Sequence, residues 1–222
     1  TKYTHYYLRS RGVANSINGD GVLADSPATG QEPPDTYSYD PEDPVPTLGG
    51  QLMAIPFTNT PSGPWDRLPV EMRDDVLVYT TDPLEEDVEV TGPITLTLYA
   101  SSSALDTDFT GTLVDVHPDG KAIIICEGIL RTRFRDSIEK PVLIEPGKVY
   151  GLTVDMWETS NMFKAGHRIR LEVSSSNFPR FDRNLNTGNH PGTDTEIRVA
   201  DQIIYHDAEH PSHLTLPVIP RQ

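Results

Sequence analysis

Leu113-Val114-Asp115-Val116-His117-Pro118-Asp119-Gly120-Lys121-Ala122-Ile123-Ile124-Ile125-Cys126 reads as two strands around one turn. Pro118 fixes φ and Gly120 accepts a positive φ, so the Pro-Asp-Gly run can reverse the chain between two apolar segments. The same pattern continues outward. Ile94, Leu96 and Leu98 alternate strictly with Thr95, Thr97 and Tyr99, which puts the three apolar residues on one face of a strand. Tyr150, Leu152 and Val154 oppose Val149, Gly151 and Thr153, and Ile169, Leu171 and Val173 alternate with Arg168, Arg170 and Glu172. Shorter strand signals lie at Tyr6-Tyr7-Leu8, Val76 to Tyr79, Ile197 to Val199, Ile203 to Tyr205, and Leu214 with Leu216. Asn18-Gly19-Asp20-Gly21 signals a turn. No segment carries a long amphipathic helix, although Leu84 to Asp87 and Met156 to Phe163 could each hold one turn. Roughly eight to ten short strands predict an all-β fold, an antiparallel sandwich whose strand count suits a jelly roll. No repeat recurs at a fixed period, against a propeller or a β-helix.

Ten of the 20 prolines fall between Pro27 and Pro69. Proline lacks an N–H and fixes φ, so this stretch is expected to form neither helix nor central strand. It also carries Tyr37, Tyr39, Leu48, Leu52, Met53, Ile55, Phe57 and Trp65, more apolar content than a solvated linker holds. The expectation is an ordered loop laid over a surface. Residues 1–69 are then a leading strand and wrapping loop of the same domain whose main body is 70–222.

Lys plus Arg number 18 and Asp plus Glu 33, a formal net charge of −15. Such a surface repels phosphate backbones and anionic lipid, so neither nucleic acid nor a membrane is an expected partner. No apolar run approaches the ~20 residues of a membrane span. The single cysteine, Cys126, ends an apolar run and is expected to be a buried, inert thiol. It allows no internal disulfide and fits a cytoplasmic, bacterial setting, with a periplasmic or secreted parent left open. The start Thr1-Lys2-Tyr3 has no initiator Met and reads as an excised fragment.

The chemistry is sparse. There is no Gly-x-Ser-x-Gly nucleophile elbow, and Ser101 to Ser103 and Ser174 to Ser176 lack flanking glycines at strand ends. His206, His210 and His213 have a superficial zinc spacing, but Pro211 pushes His210 out of helical conformation. They are read as a polar loop, and neither a metal nor a cofactor is expected. Asp35 to Asp43 and Glu85-Glu86-Asp87 lack calcium-loop spacing. Arg131, Arg133 and Arg135 would share one face of a strand. Their anionic partners are either within the domain (Asp106, Asp108, Asp115 and Glu172) or on another domain.

Val70-Glu71-Met72-Arg73-Asp74-Asp75-Val76-Leu77-Val78-Tyr79 resembles the start of the C-terminal domain of the CocE/NonD hydrolase family, which includes cocaine esterase, α-amino-acid ester hydrolases and X-Pro dipeptidyl-peptidases. The likeness continues through Val90 to Pro93, Asp106 to Phe109, Leu113 to Gly120, Gly128 to Arg131, Gly166 to Leu171, Ser174 to Pro179 and Arg183 to Gly188. Asp40-Pro41 and Asp43 to Gly50 resemble the loop leading into that domain. The order and spacing of these motifs carry the resemblance across nearly the whole chain.

The resemblance implies a galactose-binding-like jelly roll that packs on an α/β-hydrolase domain carrying a Ser, Asp and His triad upstream of Thr1. No triad residue maps onto this chain, so no catalytic residue is assigned. The expected role is a structural, substrate-shaping module with the α/β-hydrolase domain of the same polypeptide as partner; self-association is left open. Asp106, Asp108, Arg131, Arg133 and Trp65 are the interface candidates. The competing reading is a carbohydrate-binding module using Trp157, Phe178, Asn184 and Asn186.

Overall fold

The computed structural model describes residues 1–52 and 60–220. Met53, Ile55 and Phe57 of the wrapping segment lie outside the described residues. The strands are β1 (Lys2–Arg9), β2 (Val22–Ala24), β3 (Asp35–Tyr39), β4 (Leu77–Thr80), β5 (Val88–Ser102) and β6 (Asp108–Val116). They continue with β7 (Ala122–Arg131), β8 (Tyr150–Phe163), β9 (Arg168–Ser174), β10 (Ala200–Tyr205) and β11 (His213–Ile219). One hydrogen-bonded ladder joins them in the order β3-β10-β5-β11-β1-β2-β4-β9-β6-β7, with β8 paired to β5. Pairing between strands is antiparallel apart from the single parallel contact of Val22 in β2 with Thr80 in β4. The all-β expectation therefore holds.

β5 is the spine. β8 pairs with it from Val88 to Ala100, and its other edge is shared by β11, from Glu89 to Thr97, and β10, from Tyr99 to Ser102. The alternation read from the sequence buries Ile94, Leu96 and Leu98 completely. Pro93, which has no N–H to give, sits at an irregularity in the β5–β8 register. Across that irregularity Trp157 takes φ +65°.

The ladder folds back so that β6 and β7 pack on β5 and β8. A Cβ on Gly111 of β6 would stand 2.7 Å from Leu96 Cδ2 and 3.0 Å from Met156 Sδ. One on Gly128 of β7 would stand 2.0 Å from the Asp155 carbonyl oxygen. The core between the layers includes Phe109, Leu113, Met156, Phe163 and Leu171.

β6 is buried on both faces. Its outer side, with that of β9, lies under the described part of the proline-rich segment. Val45, Val70, Val76 and Val78 form a second apolar cluster with Leu48 against it. Val45 N donates to Ser176 Oγ at 2.8 Å, and Thr47 N to the Phe178 carbonyl at 2.7 Å. Arg67 reaches Glu172 at 2.6 Å and Arg170 reaches Glu71 at 2.6 Å, all four side chains being buried. Arg170 and Glu172 of β9 thus face a covering loop rather than solvent.

Four local expectations are corrected. Leu68–Glu71 is one turn of helix, α1, with Pro69 at its start, where its missing N–H breaks no intrahelical bond. Met156 to Phe163 continues β8, because β5 supplies ladder partners for that length. Ile197 to Val199 is not a strand; the strand begins at Ala200, where pairing with Tyr39 of β3 begins. Arg131, Arg133 and Arg135 do not share a strand face, since β7 ends at Arg131 and Thr132–Phe134 forms a 3-10 turn.

Candidate functional site

That turn is shaped by Asp106. Its carboxylate accepts hydrogen bonds from Thr132 Oγ1 at 2.9 Å, Arg133 N at 2.9 Å and Arg133 Nε at 2.7 Å. Two residues on, Asp108 opens β6 directly opposite Arg131 in β7. Arg131 grips it with Nε at 2.8 Å and Nη2 at 2.9 Å. Asn184 bridges the two acids, donating from Nδ2 to Asp106 at 2.9 Å and to Asp108 at 2.8 Å. Both carboxylates are inaccessible. Burial pushes the Asp108 pKa up, against the hydrogen bonds and charge of Arg131. Arg131 and Arg133 thus pair with Asp108 and Asp106 within the chain. Arg135 instead donates to the carbonyls of Thr132 and Val142 and lies over the Tyr150 ring.

This charge box anchors the loop between β9 and β10. Arg133 Nη2 donates to the Asn189 carbonyl at 2.8 Å, and Arg131 Nη1 to Asp182 at 3.2 Å. Asn186 takes φ +63°, its N–H bonded to Asn184 Oδ1 and its Nδ2 to the Arg198 carbonyl. Above the box lies a cavity of about 300 Å³ lined by Arg131, Arg133, Phe178, Asn184 and His190 among others. Phe178 is 41% exposed on its rim. The structure brings together Asp106, Asp108, Arg131, Arg133, Phe178, Asn184 and Asn186. It does not bring Trp65 or Trp157 to this cavity. Trp65 is half-exposed with Nε1 donating to the Ser62 carbonyl, and Trp157 is exposed on β8. A broader depression of about 660 Å³ is lined by Asp40, Asp43, Asp74, Asp75 and Asp201 with Arg73. Arg73 is already bound to Asp43 and Asp75 there.

One serine sits beside a histidine and an acid. Ser10 Oγ is 3.0 Å from His206 Nε2, and His206 Nδ1 is 3.1 Å from Glu32 Oε2. The chemistry is nevertheless wrong for a nucleophile. Ser10 donates its proton to Asp35 at 2.8 Å, and His206 Nε2 also meets Asp35 at 3.0 Å. Burial opposes charge on His206, but its bonds to Asp35 and Glu32 prevail and raise its pKa. With Nε2 turned to the Asp35 carboxylate and Nδ1 to Glu32, both ring nitrogens are engaged by acids and neither is free to take a proton from serine. Ser10 and His206 are also buried. This cluster holds β1, β3 and β10 together, and sequence reading missed it because its members are far apart in the chain.

The spacing of His206, His210 and His213 brings no convergence. His206 is in that cluster, His210 packs on Tyr99 and Tyr205, and His213 packs on His5 and Tyr7. Among the described residues, Asp115, His117 and His167 are the group whose ligand atoms do converge, all within 4.8 Å. Both histidines lie in stretches singled out by sequence, but 50 residues separate them, and only the register of β6 with β9 brings them together. Cys126 is completely buried, as expected, and burial pushes its thiol pKa up to about 12.

Residues 1–215 match the family described as the X-Pro dipeptidyl-peptidase C-terminal non-catalytic domain. The cocaine esterase of Rhodococcus sp. (strain MB1 Bresler) is 51% identical over 100% of this chain and 38% of its own length. Among solved structures, an aminopeptidase from the marine sediment archaeon Thaumarchaeota archaeon superposes with a TM-score of 0.84 at 29% identity, covering 99% of this chain and 37% of that one. An α-amino acid ester hydrolase superposes with a TM-score of 0.82 at 27% identity, covering 98% of this chain and 36% of that one. This chain thus spans well under half the length of each relative. With a family match over residues 1–215, the chain belongs to the X-Pro dipeptidyl-peptidase C-terminal non-catalytic domain family.

Proposed function

We propose that this chain serves a larger serine hydrolase by packing on its α/β-hydrolase domain, in the same polypeptide, and helping to shape the substrate site there. The observation that carries the reading is the 51% identity to cocaine esterase over a chain that makes up 38% of that enzyme. The reaction, acyl ester or X-Pro peptide hydrolysis, then belongs to the α/β-hydrolase domain. The single buried cysteine suits a cytoplasmic, bacterial setting for the whole. Among the described residues, no helix is long and apolar enough to cross a membrane.

The face above the charge box is the proposed contact. Asp106 and Asp108 are too deep to touch a partner; with Arg131 and Arg133 they fix the loop that presents the face. Around it stand the exposed side chains of Leu105, Leu143 and Phe178. A rigid polar floor with an apolar rim suits docking, because little ordering is needed on association. Trp65, half-exposed beside β7, supplies a second apolar contact. The carbohydrate-binding reading has less support. Asn184 and Asn186 spend their side-chain donors on Asp106, Asp108 and the Arg198 carbonyl, and Trp157 is not at their cavity.

Mixing this chain with the α/β-hydrolase portion of its parent polypeptide tests the reading by hydrogen exchange. Protection of residues 138–143 and 178–192 on mixing is the expected result. Unchanged exchange there, with or without binding elsewhere, would contradict the proposed face.

A further inference from the structure

Asp115 is the penultimate residue of β6, and His117 follows on the same side of the chain at the start of the Pro-Asp-Gly turn. His167 immediately precedes β9, which pairs with β6. The Asp115 carboxylate meets His167 Nδ1 at 2.8 Å and His117 Nε2 at 3.8 Å. The two imidazole rings lie 4.4 Å apart, centroid to centroid. Two nitrogens from two turns therefore face one carboxylate.

We infer that Asp115, His117 and His167 form a binding site for one divalent transition-metal ion of the zinc class. Ligands about 2.0–2.1 Å from a tetrahedral ion stand about 3.3 Å from one another. The observed 2.8 Å and 3.8 Å run to the two different oxygens of Asp115, and with one ligand atom from each residue the three atoms lie within 4.8 Å of one another, so side-chain rotations that draw them together would form the site. Two imidazoles with one carboxylate select zinc and its neighbours over magnesium and calcium, which take oxygen ligands. Asp115 is buried and fixed by the sheet, whereas His117 is 39% exposed, which gives an ion access and leaves a fourth position open to water. The net charge of −15 raises the local concentration of cations.

The site would clamp two turns. Gly166 and Pro118 already approach, a Cβ on the glycine standing 3.7 Å from Pro118 Cγ. A bound ion would tie the β6–β7 turn to the β8–β9 turn through bonds stronger than the Asp115–His167 hydrogen bond it replaces. The competing account is an ordinary Asp–His hydrogen bond with a second histidine packed on it, which needs no ion.

Zn²⁺ titrated into the chain by calorimetry separates the two, with Cu²⁺ paramagnetic resonance as the second readout. The inference predicts one saturable site per chain and a copper spectrum split by two nitrogens. His117→Ala and His167→Ala should each weaken Zn²⁺ binding at least tenfold, while His210→Ala leaves it unchanged. His117 lies in an exposed turn, so its variant keeps the fold, as cooperative thermal unfolding would verify. The copper spectrum of the unmodified chain does not depend on any variant folding. No saturable binding, a copper spectrum without two nitrogens, or weakening in fewer than both variants would overturn the site.

Discussion

Asp35 has no exposed surface and accepts hydrogen bonds from Ser10 Oγ, the Ala14 N–H, Tyr79 Oη and His206. Removing one partner of a buried ion pair costs about 3–5 kcal/mol, because the other charge is left without compensation. Asp35→Asn is therefore expected to lower the unfolding free energy by about that much in urea titrations at pH 6. The pH dependence has a definite sign. Burial works against charge on Asp35 and Glu32, but hydrogen bonds and the charges of their partners prevail and hold both pKa values below 3.8 and 4.5. Their contribution is present above those ordinary values and is lost as pH falls through the folded values. His206 is raised above 6.5, so its contribution is complete below that value and is lost as pH rises through the folded one. The cluster stabilises most between about pH 4.5 and 6.5. Glu71 behaves differently. Burial and the nearby charge of Glu172 outweigh Arg170 and Arg67, and its pKa rises to about 7. Stability linked to it is lost between pH 4.5 and 7. Glu71→Gln, which cannot ionise, should match the native chain at pH 4 and exceed it at pH 8 by on the order of 1 kcal/mol. Chemical denaturation at the two pH values checks this.

At the scale of elements, the tightest constraint is the approach of β7 to β8. A methyl on Gly128 would lie 2.0 Å from the Asp155 carbonyl oxygen, and backbone cannot swing aside as a side chain can. Gly128→Ala is expected to cost about 1–3 kcal/mol or more, whereas Gly30→Ala, with nothing within 4 Å of its Cβ, should change the midpoint little. Thermal unfolding of both variants makes the comparison. Strands with one buried face were legible in sequence: Ile94, Leu96 and Leu98 in β5, and Leu152 and Val154 in β8, alternate with more exposed neighbours. The far half of β8 was not, because Trp157 to Asn161 carries no apolar alternation and owes its conformation to pairing with β5. Arg131, Arg133, Asp106 and Asp108 were legible as a group of charges. Their pairing required the β6–β7 register, and the end of β7 required knowing that Asp106 captures the Arg133 N–H. The Asp35–His206 contact, 171 residues apart in sequence, follows from the β3–β10 pairing, which no local pattern announces.

At the scale of the whole molecule, the buried Arg67–Glu172, Arg170–Glu71, Arg131–Asp108 and Arg133–Asp106 pairs face the covering loop or the loop between β9 and β10, and several apolar side chains stand exposed on the surface. That distribution fits a module whose order is internal and whose purpose is to present a face. Within the intact parent, Phe178→Asp should weaken the contact with the α/β-hydrolase domain and lower kcat/KM on the parent's ester or peptide substrate by about tenfold, the equivalent of about 1.4 kcal/mol. Unfolding of the isolated variant chain should change by less than about 0.5 kcal/mol, as for exposed positions generally. Kinetics beside denaturation would distinguish docking from folding. The proposal is that the chain presents a face to the α/β-hydrolase domain and, like its non-catalytic family, performs no hydrolysis itself. Its most direct test is exposure of the purified chain to a serine-directed fluorophosphonate, with p-nitrophenyl ester turnover measured in parallel. No labelling and no turnover are expected, with Ser10 unreacted because it is buried and its proton is held by Asp35. Specific, saturable labelling of any serine, with turnover that the label abolishes, would contradict it.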